Sequence, residues 1–270
     1  MKIARVISSP LILCSSTLKV SKRKRIIWNL DLKEAIDISI FLTGYFQRKS
    51  IFQVTKYLPL GGVFVDVGAN RGAISFPVAV QNPSSAIYSI EPVAIMLEKM
   101  RIVRDMNPTL LRNTKIVSAF LTSKERIALA EIPNEVDASW NVYPNTTSDK
   151  TTGAMAYSID SRIALTFDAL VIREGISQVD VVKIDVDGYE IDVLRGAQDS
   201  IRKFQPIIIM EWAPYAQIQR GNSPRELVEL LIDYGYTPSE LIWRGSKSCT
   251  WEKVLNIKPL KSKDIVFKPK

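Results

Sequence analysis

Acidic side chains and one lysine crowd a short stretch of this chain. Lys183, Asp185, Asp187 and Glu190 follow the apolar run Val181-Val182, and a second apolar run, Ile207-Ile208-Ile209-Met210, ends in Glu211. Like charges in a confined site raise each other's pKa, so the group needs an explanation. It could act as a proton acceptor, as a set of ligands for a hard cation such as Mg²⁺ (Asp185, Asp187 and Glu211 being the candidates), or as partners for Lys183. Helix capping is the plainer role and suits Asp187 and Glu190, because acids favour a helix start.

Upstream, Val63-Phe64-Val65-Asp66-Val67 runs into Gly68-Ala69-Asn70-Arg71-Gly72 and then an amphipathic segment. That order reads as a buried strand, a tight turn and a helix N-terminus. Gly68 permits φ > 0 and close approach of a ligand to the main chain, and the free N–H groups of the helix start attract an anion. Glu91 ends the next strand, Tyr88-Ser89-Ile90-Glu91-Pro92, 25 residues after Asp66. An acid at that position can accept two hydrogen bonds from a ribose diol. NAD would want a further glycine two positions from Gly68, where Asp66 and Asn70 stand, and no Walker-type Gly-Lys-Ser/Thr occurs. S-adenosylmethionine, which carries no phosphate, fits the loop better. Asp66, Gly68, Ala69, Asn70, Gly72, Glu91 and Pro92 are the expected cofactor-binding residues.

The elements that must position these groups alternate. Strand Val63–Val67 precedes helix Ile74–Gln81, and strand Ala86–Ile90 precedes helix Ala94–Met106. Strand Lys115–Phe120 leads into a long irregular region. Helix Phe167–Glu174, strand Val179–Ile184, helix Glu190–Lys203, strand Pro206–Glu211 and helix Pro224–Tyr234 come next. A closing pair of strands lies near Leu241–Trp243 and Asp264–Phe267. Strands separated by helices of this length predict a doubly wound α/β fold: a mostly parallel, Rossmann-like sheet covered on both faces, with a closing antiparallel pair. Such sheets bind ligands at the carboxyl ends of their strands, where both constellations fall. The segment 121–157, with Trp140, Tyr143 and Pro144, is too long for a plain connector and is a candidate substrate lid.

The 270 residues are 46% hydrophobic and 24% charged, the composition of an ordinary globular chain with a real core. Cys14 and Cys249 are the only cysteines, so no disulfide framework is expected and a reducing, cytoplasmic setting is the simpler expectation. No apolar run approaches the ~18–20 residues that span a bilayer. Lys2 and Arg5 before Ile12-Leu13-Cys14 faintly suggest a secretion signal, but Ser8, Ser9 and Pro10 break the apolar stretch. The net charge of +8 is uneven: residues 1–60 carry 11 Lys/Arg and 3 Asp/Glu, residues 61–243 carry 17 and 23, and residues 244–270 carry 8 and 2. The expected layout is a basic extension over 1–27, a subdomain over 28–60 packed on the core, and a cofactor-binding domain over 61–270. Lys22-Arg23-Lys24-Arg25 could meet an anionic acceptor or an anionic membrane surface from the side; a solvated terminal segment is the plainer reading.

Two blocks together, Phe64-Val-Asp-Val-Gly-Ala-Asn-Arg-Gly72 and Val182-Lys-Ile-Asp-Val-Asp-Gly-Tyr-Glu-Ile-Asp-Val-Leu-Arg-Gly-Ala197, resemble the FkbM-type S-adenosylmethionine-dependent methyltransferases. Ile90-Glu91-Pro92, Thr166-Phe167-Asp168-Ala169-Leu170, Ile209-Met210-Glu211 and Phe41-Leu-Thr-Gly44 add to the resemblance, which runs from about Leu30 to Phe267. Phe167 stands where this family usually has Leu, and Asp187 where it often has Glu; both keep the side chain's character. The resemblance implies adenine contacts at Ala119 and Phe120 and O-methylation of a hydroxyl on a sugar, glycan or natural product. Such a hydroxyl needs a base or a metal to take its proton. The chain has no histidine, which leaves Asp185 or Glu211 as acceptor, or water on a Mg²⁺-like ion they hold, with Lys183 orienting a carboxylate. A nucleic-acid methyltransferase is the alternative, though the Asn/Asp-Pro-Pro-Tyr/Phe block of amino-group enzymes is replaced by Asp185-Val186-Asp187-Gly188. A non-catalytic nucleotide-binding module is the other.

Overall fold

The computed structural model describes residues 18–124, 135–140, 154–158, 164–242, 245–258 and 261–270. Strands β1 (Leu18–Arg23) and β2 (Ile26–Asp31) form an antiparallel hairpin in which Arg23 pairs with Ile26. Its two turn residues, Lys24 and Arg25, both have positive φ, the type I′ geometry that matches strand twist. Ile26, Trp28 and Leu30 alternate inward and are buried, and Trp28 lies 5.9 Å from the ring of Phe76. The expected boundary between residues 27 and 28 therefore falls inside β2.

The central sheet continues with β3 (Val63–Val67), β4 (Ala86–Glu91) and β5 (Thr114–Ser118). After the short strands β6 (Phe120–Leu121), β7 (Glu135–Trp140), β8 (Ala154–Ser158) and β9 (Ala164–Leu165) come β10 (Val181–Ile184) and β11 (Ile207–Trp212), then β12 (Tyr236–Ile242), β13 (Gly245–Ser248) and β14 (Lys263–Pro269). The eight-stranded order is β13-β12-β14-β11-β10-β3-β4-β5. The run from β11 to β5 is parallel, and β14, β12 and β13 are joined antiparallel. This is the expected doubly wound fold, its closing pair extended by a third antiparallel strand.

Helices cover both faces. One core layer joins Val65, Val67, Val182, Ile184, Ile208 and Met210 to helices Phe167–Arg173, Glu190–Arg195 and Pro224–Asp233. The other joins Phe64, Val181, Ile209 and Val266 to β2 and to helices Arg48–Tyr57 and Ser75–Gln81. Burial on both sides explains why these strands read as continuous apolar runs.

Two expected elements break. The helix over 190–203 is two helices, Glu190–Arg195 and Gln198–Phe204. A Cβ on Gly196 would fall 2.1 Å from the Thr122 carbonyl oxygen, and Asp168 caps the second helix by accepting from the N–H groups of Asp199 (3.0 Å) and Ser200 (2.8 Å). The strand expected over 115–120 stops at Ser118, and Phe120–Leu121 leaves the sheet to pair with β9. Most of the expected lid, including Tyr143 and Pro144, lies outside the described residues, as do Cys14 and the segment before Leu18. No described helix is long and apolar enough to cross a membrane.

Candidate functional site

Strand order reverses between β3 and β10: the chain runs outward to β4 and β5 on one side and to β11 on the other. The crevice at such a switch point, beyond the carboxyl ends of the strands, is where open α/β sheets bind ligands. A cavity of about 350 Å³ opens there, within the usual range for a small-molecule site.

Its floor is the turn after β3. Gly68 has φ +78°, and a Cβ on it would lie 1.9 Å from the Asp185 carbonyl oxygen. Both demands exclude any side chain. Gly68→Ala should therefore lower the melting temperature sharply, by the several degrees that ~1–3 kcal/mol of backbone strain implies, with the clash in addition. A thermal melt matching the wild type would show that the two loops are not packed this closely.

Glu91 pins the same turn. Its Oε2 accepts from the Asn70 N–H at 2.9 Å and its Oε1 from the Val93 N–H at 3.0 Å. Burial raises its pKa to about 7 against those hydrogen bonds, with the Asp66 charge adding to the rise. Each carboxylate oxygen still has a second lone pair for a ligand. Gly68, Ala69, Asn70, Glu91, Pro92, Ala119 and Phe120 all line the cavity. Asp66 and Gly72, also expected to bind cofactor, do not. Asp66 is buried beneath the turn, accepting from the Ser75 hydroxyl at 2.5 Å, and Gly72 packs against the Phe76 ring. Arg71 of the same turn is 3% exposed and pairs with Glu34 (3.5 Å) and Asp37, latching the loop to helix Ala35–Thr43.

The acidic edge is built by strand alternation. In β11, Ile208, Met210 and Trp212 face one core layer and Ile209 the other, and β3, β10 and β14 behave likewise. A period of two therefore puts Asp66, Lys183, Glu211 and Asp264 on one sheet face. Register completes the group: Lys183 sits opposite Asp66, and Glu211 opposite Asp264. The Asp264 carboxylate accepts from Ser50 of helix Arg48–Tyr57 at 2.5 Å. Asp264 escaped the sequence reading; its alternation with Ile265 and Val266 was the available signal.

Lys183 is 2% exposed and donates to Asp185 Oδ2 at 2.6 Å. Burial works against its charge, but Asp185, Asp66 and Asp264 outweigh it and raise its pKa. Asp185 shows the opposite sign. Burial favours its neutral form, yet Lys183 and hydrogen bonds from Glu211, Lys183 and Gln47 hold it below the usual carboxylate range. Glu211 is pushed up to about 10, first by the Asp185 charge and then by burial. At neutral pH one proton thus sits on Glu211, which donates to an ionised Asp185, and Lys183 supplies the counter-charge. Lys183, Asp185, Asp187 and Glu211 all line the cavity. Glu190 does not; it turns back to accept from the Gly188 N–H at 3.1 Å. Among the described residues no three His, Cys, Asp or Glu side chains are grouped to hold a metal ion.

Sequence reasoning missed several cavity walls: Phe46 and Gln47, Tyr189, Tyr215, Arg220 and Ser262. Tyr189 packs edge-on against Phe120 at 5.4 Å between centroids. Apart from Tyr215, on helix Pro214–Gln219, they come from loops and helix ends whose approach no local pattern announces.

The model of the family described as "Methyltransferase FkbM domain" matches residues 66–238. Among solved structures, the methyltransferase FkbM from Methylobacillus flagellatus KT is similar at a TM-score of 0.50 and 12% identity, covering 83% of this chain and 48% of that one. This chain thus spans about half the length of that relative. Precorrin-6y C5,15-methyltransferase from Geobacter metallireducens GS-15 aligns at a TM-score of 0.41 and 14% identity, covering 82% of this chain and 87% of that one. No curated protein sequence matches the chain.

Proposed function

The chain belongs to the FkbM-domain methyltransferase family, and from that premise we propose that it methylates a hydroxyl of a sugar, glycan or natural product with S-adenosylmethionine as donor. The observation that carries this reading is a single cavity that brings together the Gly68 turn, Glu91 and the Lys183–Asp185–Glu211 group. The donor fits the residues present: the glycine turn leaves its backbone open, Glu91 keeps acceptor capacity for a ribose diol, and Ala119 and Phe120 offer an apolar wall to a base. When bound, S-adenosylmethionine supplies a methyl carbon already activated by a sulfonium sulfur.

What the protein adds is alignment and proton transfer. Holding the acceptor oxygen in line is worth several kcal/mol by itself, on the order of 7–11 in the best cases. Of the two carboxyls expected to take the hydroxyl proton, Asp185 is ionised at neutral pH and Glu211 is not, so Asp185 is the acceptor and Glu211 its hydrogen-bond donor. Lys183 fixes the Asp185 carboxylate and keeps it charged. Proton transfer to Asp185 is favoured over Mg²⁺ because Lys183, 2.6 Å from the Asp185 carboxylate, already supplies its counter-charge.

Contact of Lys22–Arg25 with an anionic acceptor or membrane surface is part of the proposal. The hairpin tip lies against the loop that enters the cavity wall: Lys24 Nζ is 5.6 Å from the centre of the Tyr45 ring, and Phe46 and Gln47 follow directly. Arg23 is less available, since its Nε donates to the Phe41 carbonyl at 2.6 Å.

Calorimetric titration with S-adenosylhomocysteine tests the cofactor assignment. Binding should weaken as pH falls from 8 to 6, because Glu91, with a pKa near 7, gains a proton and stops accepting from the ribose. Glu91→Gln should lose about 1.5–3 kcal/mol of affinity at pH 8 and show a flat pH dependence. Tight NAD binding without response to S-adenosylhomocysteine would sink the assignment.

A further inference from the structure

We propose that Arg220, set over the ring of Tyr189 where the cavity meets solvent, binds a carboxylate or phosphate carried by the acceptor, so that the methylated hydroxyl compound is anionic. This rests on reading the cavity as the methyl-transfer site. Among the described residues, the charged groups lining the cavity are Glu91, Asp185, Asp187, Glu211, Lys183 and Arg220. Lys183 is buried and committed to Asp185. Arg220 is exposed, and among the described residues its guanidinium makes no ion pair; its carbon Cζ lies 5.0 Å from the Tyr189 ring centre.

The loops carrying this pair are locked together. The Arg220 N–H donates to the Ala216 carbonyl at 3.2 Å and the Gln217 carbonyl at 3.1 Å, ending helix Pro214–Gln219. Asn222 Nδ2 donates to the Gly188 carbonyl at 2.9 Å, and a Cβ on Gly188 would fall 2.5 Å from the Ala216 oxygen. The guanidinium is therefore preoriented with N–H groups unspent. A planar fork of that kind suits carboxylate and phosphate oxygens, and stacking on an aromatic face leaves its edge free for them. Through Tyr189, whose ring packs on Phe120 at 5.4 Å between centroids, the guanidinium stands at the end of the aromatic wall of the cavity. An otherwise acidic mouth would repel an anionic acceptor, and one fixed cation at its edge supplies both attraction and orientation.

The test uses the full chain saturated with S-adenosylhomocysteine and titrated with inorganic phosphate. Wild type should bind it, Arg220→Ala at least tenfold more weakly, and Arg220→Lys in between. With S-adenosylmethionine, paired hydroxyl compounds differing by one anionic group (glucose and glucose 6-phosphate, phenol and 4-hydroxybenzoate) should show at least a tenfold higher kcat/KM for the anionic member. Arg220→Ala should erase that preference through KM. A preference that survives Arg220→Ala overturns the proposal. Weakened S-adenosylhomocysteine binding in Arg220→Ala also overturns it, since the cation would then serve the cofactor's own carboxylate. If no pair is methylated, the phosphate titration decides, and equal binding by wild type and variant overturns it. Absence of S-adenosylhomocysteine binding in the wild type would instead remove the methyltransferase reading beneath it.

Discussion

Replacing Lys183 by methionine should destabilise the fold by about 3–5 kcal/mol at pH 7, the usual cost of leaving buried charge without its partner. The side chain's volume is nearly kept, so the loss is electrostatic rather than a cavity. Lys183 is the buried cation that Asp66, Asp185 and Asp264 all face. Its folded pKa lies above the unfolded value near 10.5, so its contribution is complete below that pH and fades only as pH rises through the folded value. In Lys183→Met the three carboxyls lose their counter-ion and their folded pKa values climb. A carboxyl with a raised folded pKa costs stability above its unfolded pKa and recovers it in acid. The gap between variant and wild type should therefore be widest at neutral pH and shrink toward pH 4. Urea unfolding at pH 4.5, 7 and 9 measures this. A variant within 1 kcal/mol of wild type at pH 7 would mean that the lysine does not hold the group together.

Asp185→Asn should lower turnover by about 10²–10⁴-fold, the range associated with a lost general base, while S-adenosylhomocysteine affinity stays within a few-fold. The variant keeps shape and removes charge. It also removes the first cause of the Glu211 shift, so Glu211, near 10 in the wild type, should titrate several units lower. Carbon-13 resonances of the glutamate carboxyls report this directly. Glu211→Gln should be far milder, because an amide N–H can donate to Asp185 as the protonated carboxyl does. If the two variants lose turnover equally, or Glu211 already titrates near pH 4–5 in wild type, the division of roles is wrong. Loss of activity in chelator with recovery on adding Mg²⁺ would bring the metal variant back.

The glycine turn and the acid beside it were legible because their signals are local. A buried run, two glycines and an acid at the end of the next strand must give a strand, a positive-φ turn and a helix start, whatever packs around them. The acidic edge was legible as a list of residues but not as a protonation pattern. Asp185, just past β10, and Glu211, on β11, stand 26 positions apart in the chain, and which of them keeps the proton depends on Lys183 beside Asp185 and on the Asp185 charge beside Glu211. Asp66 misled for the same reason: it belongs to the glycine motif, yet alternation turns it toward Lys183 and away from the cavity.

The sequence by itself determined the alternation of strands and helices, the carboxyl-edge location of both constellations and the absence of any histidine chemistry, because these follow from short-range pattern and composition. Tertiary structure alone decided that Asp264 joins Lys183, that Gly196 splits a helix against Thr122, and that Arg220 meets Tyr189 over the cavity. Those are contacts between segments tens of residues apart or more, set by strand order and loop packing. No local pattern encodes the electrostatic field that such contacts create.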